Sequence, residues 1–310
     1  MLNTRRVCSS FLSFFLSLSL SLLYALYTFS LVCKRYFPFT SRIRHNTTQR
    51  TIIMPDEEKR AIKTIAVLIA MEAEAEPLIS SFKLLPCPKS HHHAPLPSVV
   101  RSGEFSFGEE NKAVEIVLVT CGQDATHAVD SVGTVNAALC AYEVLKTHRP
   151  DVLINAGTAG GFQSKGCEIG DVFLVSEVKF HDRRIPIPTF TSYGIGAIET
   201  LKTPNMRAEI SSLKSGICST GNSLDATDVD REMMLQNDAS VKEMEAAAVA
   251  KVCEMFKTPF VCVKAITDIV DGPHATETEF LENLAMAGRR LQETVPKVLE
   301  FMSGKSVADL

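Results

Sequence analysis

The stretch TIAVLIAMEAEAEPLISSF, Thr64 to Phe82, decides the fold. Its first seven residues, Thr64–Ala70, form an apolar run of the kind that makes a buried strand. From Glu72 the period changes. Ala75, Leu78, Ile79 and Phe82 fall on one face of a helix, which the spacing predicts over Glu72–Phe82. A buried strand feeding an amphipathic helix is the repeating unit of α/β proteins. The same punctuation continues outward. Val99–Ser106 and Ala113–Thr120 read as strands joined in a hairpin through Gly108, and His127–Thr147 as a long helix that stops before Pro150. Val152–Ile154 reads as a short buried strand entering a glycine-rich turn, NAGTAGG (Asn155–Gly161).

Strands are predicted over Asp171–Phe180 and Gly216–Thr220, separated by an irregular excursion at 181–205 rich in Pro and Gly. A helix over Asp228–Gln236 takes its cap from Thr227 or Asp228. Met244–Phe256 reads as a helix, Pro259–Ile266 as a buried strand and Glu277–Met302 as a terminal helix. Strands and helices alternate while some strands are hairpin-linked. The fold class is therefore α/β, a three-layer α/β/α sandwich with a central mixed sheet. No internal repeat and no linker interrupts 61–310, so that region reads as one domain.

Composition narrows the function. The net charge is −4, 45% of residues are hydrophobic and 22% charged, and the last 250 residues hold no basic patch, so no nucleic-acid partner is expected. Nine cysteines are dispersed without CxxC spacing, which reads as reduced thiols in a cytoplasmic setting. His91-His92-His93 lies in a Pro-rich surface loop, Pro86–Pro97; adjacent residues do not share a face, and no metal site is expected. Residues 1–60 are a separate extension. Val7–Cys33 carries no charged side chain and is long enough for a membrane span of roughly 20 residues. Arg5 and Arg6 precede it, and Asn46-Thr47-Thr48 is a formal glycosylation sequon. The extension is either a signal anchor, the one route to a membrane partner, or an upstream artefact of the reading frame, with translation starting at Met54.

Four segments carry acids or glycines at strand ends, where α/β sheets build ligand sites. They are IAMEAEAEPL (Ile69–Leu78), NAGTAGG, KEMEAAAVA (Lys242–Ala250) and KAITD (Lys264–Asp268). Glu72 and Glu76 share a helix face and Glu74 points elsewhere, so only one set enters a cleft. Acids at a helix N-terminus also suit its dipole whatever the function. Three small residues after Glu245 leave room beside its carboxylate or simply let the helix pack closely. Asp268 follows the strand over Val261–Ile266, either as a ligand contact or as a cap. The glycine run fits neither GxGxxG nor a P-loop, which disfavours dinucleotides and triphosphates.

These segments in this order, with STGNSLD (Ser219–Asp225) as a fifth, resemble the plant-type 5′-methylthioadenosine/S-adenosylhomocysteine nucleosidases of the nucleoside phosphorylase–uridine phosphorylase superfamily. The likeness covers about residues 62–302. It implies a phosphorylase/nucleosidase-like fold, a homodimer, a small-molecule nucleoside substrate and no cofactor. By the resemblance Glu74 activates water and Asp268 protonates adenine N7. Glu245 grips the ribose, with Met244 and the backbone of Lys242 and Glu243 lining the sugar. Thr158 lies in the substrate turn. Leu224 and Asp225 flank the adenine, Asp225 mainly through its backbone. The segment around His274 and Phe280 is a candidate lip. The expected reaction is hydrolysis of 5′-methylthioadenosine to adenine and 5-methylthioribose, with S-adenosylhomocysteine a secondary substrate. A purine nucleoside phosphorylase would need arginines for phosphate, where this chain has Glu72, Glu74, Glu76 and Asn155. A non-catalytic storage protein of the same fold is the other alternative, and the three acids argue against it.

Overall fold

The computed structural model describes residues 60–87, 96–107 and 112–310. The apolar run Val7–Cys33, the sequon at Asn46, the triplet His91–His93 and the Gly108 turn lie outside the described residues. The strands are β1 (Thr64–Ile69), β2 (Leu85–Pro86), β3 (Val99–Phe107), β4 (Lys112–Thr120), β5 (Val152–Gly161), β6 (Val172–Phe180), β7 (Ile198–Glu199), β8 (Leu213–Thr220), β9 (Ala239–Glu243) and β10 (Phe260–Ile269). The helices are α1 (Glu72–Phe82), α2 (Thr134–His148), α3 (Thr191–Ile195), α4 (Pro204–Glu209), α5 (Asp228–Gln236), α6 (Ala246–Phe256) and α7 (Thr276–Met302). None of them is long and apolar enough to cross a membrane.

The sheet is mixed, as predicted. β1 lies between β4 and β5 and runs parallel to both, while β3 returns antiparallel beside β4. Strand alternation divides the core. Ile65, Val67 and Ile69 pack into one apolar cluster, under α1 and α7, and Ala66 and Leu68 into a second, under α2 and α6. A helical layer on each face of the sheet follows from that parity.

Beyond β5 the sheet does more than extend. β10 pairs with β5, β6 with β10, β8 with β6 and β9 with β8. β9 then comes back antiparallel to β5 at Gly160 and Gly161, so these strands close into a ring. β5 leaves β1 after Asn155 and meets β9 only at Gly160. The edge of β5 left between those contacts is where a cleft opens.

Several expectations are corrected. NAGTAGG is strand, because β10 pairs with it from Asn155 to Gly161. Its glycines serve close approach. A Cβ on Gly160 would lie 2.6 Å from Asp268 Oδ2, and one on Gly161 2.7 Å from Cys167 Cβ. The helix expected from His127 begins only at Thr134, after Gly133 at φ 96° and a turn in which Asp124 accepts from the Thr126 and His127 amides. The helix expected from Met244 begins at Ala246, and β9, preceding it, was not predicted. β10 runs on past Ile266 through a bulge at Thr267, which places Asp268 inside the strand. The excursion at 181–205 contains α3 and β7.

Leu291 of α7 is fully buried in the cluster over β5 and β10. Leu291→Ala is expected to cost about 2–5 kcal/mol through lost burial and a residual cavity, read as a lower urea midpoint at unchanged m-value. A cost under about 1 kcal/mol would show that α7 is not part of the cooperative core.

Candidate active site

A cavity of about 230 Å³ opens where β5 parts from β1. Its walls are the end of β1 with Glu74, the β5 edge from Ala156 to Gly160, the run Lys242–Glu245, and Lys264, Thr267 and Asp268 on β10. Of the residues singled out from the sequence, Glu74, Thr158, Leu224, Lys242, Glu243, Met244, Glu245 and Asp268 all line it. Asp225 is exposed beside Leu224 and lies outside the lining, as does His274, whereas Phe280 is at the rim.

Helical geometry separates the three acids of the first segment. Glu74 is buried, and donors converge on its carboxylate. The Thr158 amide and hydroxyl donate to Oε1 at 2.7 and 2.6 Å, and the Met71 amide donates to Oε2 at 3.2 Å. Glu72 turns away, accepting from Arg101 and from the Thr120 hydroxyl at 2.9 Å. Glu76 is on the surface with Ser80.

The second acid group depends on a residue that the sequence reading passed over. Lys264 sits in mid-strand, fully buried, with its ammonium 2.9 Å from Glu243 Oε2, which is equally buried. Glu243 also accepts from the Glu245 and Ala246 amides at 2.8 Å each and from the Thr220 hydroxyl. It thereby caps α6, where a negative charge meets the positive end of the helix dipole. Burial pushes the Glu243 carboxyl up, but Lys264, Thr220 and the Glu245 amide outweigh burial and hold it below the usual range. Burial acts against the Lys264 charge, and Glu243 outweighs that too, leaving the ammonium firmly protonated. A lysine within FVCVKAIT was the available signal, since a charge in a buried strand requires a partner.

With the cap supplied by Glu243, the Glu245 side chain is released to the cavity. It is buried and accepts the Gly133 amide at 2.8 Å. Burial and the neighbouring Glu243 charge raise it to about 7, against the pull of Lys264 and the Gly133 amide. Asp268 is raised as well, chiefly by burial, with the Thr267 hydroxyl at 2.7 Å and Lys242 acting against the rise. Among the described residues no group of three His, Cys, Asp or Glu side chains is placed to hold a metal ion.

Known proteins resemble this chain over most of its length. The Phosphorylase superfamily model matches residues 64–300. A 5′-methylthioadenosine/S-adenosylhomocysteine nucleosidase of Arabidopsis thaliana is 46% identical over 258 residues, 83% of this chain and 99% of that protein. The chain belongs to the phosphorylase superfamily, in its 5′-methylthioadenosine/S-adenosylhomocysteine nucleosidase family. A second Arabidopsis thaliana relative, a 5′-methylthioadenosine nucleosidase, is 45% identical over 251 residues, 81% of this chain and 91% of that one. The apo structure of an Arabidopsis thaliana 5′-methylthioadenosine nucleosidase superposes with a TM-score of 0.77 at 45% identity, over 81% of this chain and all of that one. The fold is therefore that of the family.

The Glu245 environment makes a prediction about the folded protein alone. Glu245 holds its proton to about pH 7 when folded and only to about 4.5 when unfolded. Its contribution to stability is complete below pH 4.5 and is lost as the pH rises through 7. Relative to Glu245→Gln, the wild-type urea midpoint is expected to fall across that window. A constant difference between the two proteins from pH 4 to 8 would refute the assignment.

Proposed function

We propose that the chain uses water to cleave the N-glycosidic bond of 5′-methylthioadenosine, releasing adenine and 5-methylthioribose. The observation that carries this reading is the state of the cations around the cavity. The lining contains Lys242 and Lys264 and no arginine. Lys264 is paired with Glu243, and Lys242 donates to the carbonyls of Ser223 and Leu224 at 2.7 Å each. A phosphate dianion entering this cavity would find both lysines committed and no arginine fork to receive it. Neutral water suits the cavity. The name methylthioadenosine is also shared by both plant relatives, which supports it as the preferred substrate over S-adenosylhomocysteine.

The chemistry follows from three environments. Breaking the bond leaves an electron pair on adenine and positive charge on the ribose. Asp268, whose burial favours the protonated acid, gives its proton to N7, so the base leaves neutral. Glu245, balanced between acid and carboxylate near pH 7, accepts from the ribose hydroxyls, and its ionised form stabilises the cationic sugar. Glu74, pinned by Thr158 and the Met71 amide, takes a proton from the water that adds to the anomeric carbon. Leu224 supplies an apolar wall for the base and Met244 one for the sugar. No cofactor enters these steps.

We also infer a homodimer. Val135, Leu139 and Tyr142 form an exposed stripe on α2, continuous with Val129 and with Val132 at the cavity mouth. An apolar patch of this kind on a globular chain marks a protein contact. Cys121, Cys140, Cys167, Cys218, Cys253 and Cys262 are buried thiols, which suits a cytoplasmic location.

The test is adenine release from 5′-methylthioadenosine by protein beginning at Met54, with and without phosphate. Equal release in both is expected, and faster than from S-adenosylhomocysteine. Release that requires phosphate would make the protein a phosphorylase. Asp268→Asn and Glu74→Gln should each lower kcat by about 10²–10⁴-fold, while Glu72→Gln keeps kcat within a few-fold. A damaging Glu72→Gln beside a benign Glu74→Gln would exchange their roles. For the dimer, light scattering should give twice the monomer mass, and Leu139→Lys should reduce it to one; a wild-type monomer would contradict it.

A further inference from the structure

Lys242 has no part in the reaction as laid out above, yet its side chain is buried and its ammonium holds two carbonyls. It lies at the end of β9 and donates to the carbonyls of both Ser223 and Leu224 at 2.7 Å. Those carbonyls belong to the loop that carries Leu224 to the cavity. The start of that loop is anchored elsewhere: the Gly221 amide donates to the Glu243 carbonyl, and Asn222 is tied to Asp182 and Thr134. Lys242 therefore fastens the tip. It also faces the acid. Gly160 of β5 is in register with Lys242 on one side and with Asp268 on the other. In-register neighbours project to the same face of a sheet. Because Gly160 lacks a side chain, the Asp268 carboxylate leans over it, its Oδ2 only 2.6 Å from where a Cβ would stand. The ammonium and the carboxylate thus face each other across Gly160, interacting through space without forming an ion pair.

We propose that Lys242 is a positioning residue for the base end of the site: it straps Ser223 and Leu224 over the bound adenine and provides the positive charge against which Asp268 gives up its proton. The second half rests on the reading of Asp268 as the acid. A nearby cation favours the carboxylate that remains after proton transfer. The other charged groups in reach are Asp225 of the loop, Glu243 and Asp230 around Lys242, with His181 beyond them, and Glu279 of α7 beside Asp268. Lys242 is the cation among those facing Asp268, so removing it leaves burial and Glu279, which favour the protonated acid, opposed only by the Thr267 hydroxyl.

The experiment compares Lys242→Met, similar in length but without charge or donors, with Lys242→Arg, which keeps both. Two readouts are taken on the full chain: adenine affinity by titration, and the pH profile of kcat/KM for 5′-methylthioadenosine. Lys242→Met is expected to weaken adenine binding by about tenfold and to move the alkaline limb, where Asp268 loses its proton, upward by about half a pH unit or more. Lys242→Arg is expected to keep the wild-type limb. A Lys242→Met protein with wild-type affinity and limb overturns the proposal. So does one that loses affinity and thermal stability with the limb unmoved, since that is a purely structural role. If Lys242→Met does not fold, an alkaline limb raised in Lys242→Arg overturns it instead. Wild-type protein that binds adenine but releases none from the nucleoside retires the hydrolase reading. The strap is then decided by adenine titration alone, equal affinity in wild type and Lys242→Met sinking it.

Discussion

The interaction on which the rest depends is the ion pair of Lys264 with Glu243, buried on both sides. Either charge alone in that position would be costly, about 3–5 kcal/mol for a buried pair broken from one side. Together they form a tie between β10 and β9, two strands that do not pair with each other and are both held against β5. The tie passes the glycine tract of β5. A Cβ at Gly157 would sit 3.6 Å from the Lys264 ammonium and 3.4 Å from Glu74 Oε1. The ring of strands, the glycines and the two opposite charges are thus one arrangement. Each is costly without the others.

That arrangement lets four carboxylates share one small cavity without behaving alike. Glu243 is held ionised by a lysine and a helix terminus. Glu74 is surrounded by donors and oriented by them. Glu245 and Asp268 are set by burial, which favours the neutral acid. Like groups pushed apart by environment are what acid–base chemistry near neutrality requires. The division is made by the backbone: once Glu243 caps α6, Glu245 has no amide to satisfy at its own helix terminus.

Much of this was legible in the sequence, for physical reasons that also explain the remainder. β1, α1 and α5 were read within a residue because their apolar spacing and caps are local. Asp268 and Glu245 stood out as acids beside apolar runs. β9 was invisible because Val-Lys-Glu looks polar. Its Lys and Glu are buried by partners about 20 residues away, on the 223–224 loop and on β10, which no local pattern records. The glycine tract was misread as a turn for a related reason. Gly160 and Gly161 answer to side chains on Asp268 and Cys167, so their meaning lies in what crosses over them. The early start assigned to α2 failed at Gly133, whose amide is committed to Glu245.

That last contact reaches further than its length suggests. Gly133 opens α2, the helix whose outer face carries the apolar stripe, and its amide hydrogen-bonds the carboxyl group poised near neutrality. Any shift of the start of α2 moves a donor that holds the Glu245 pKa down, so the acidity of the site is tied to the placement of a surface helix.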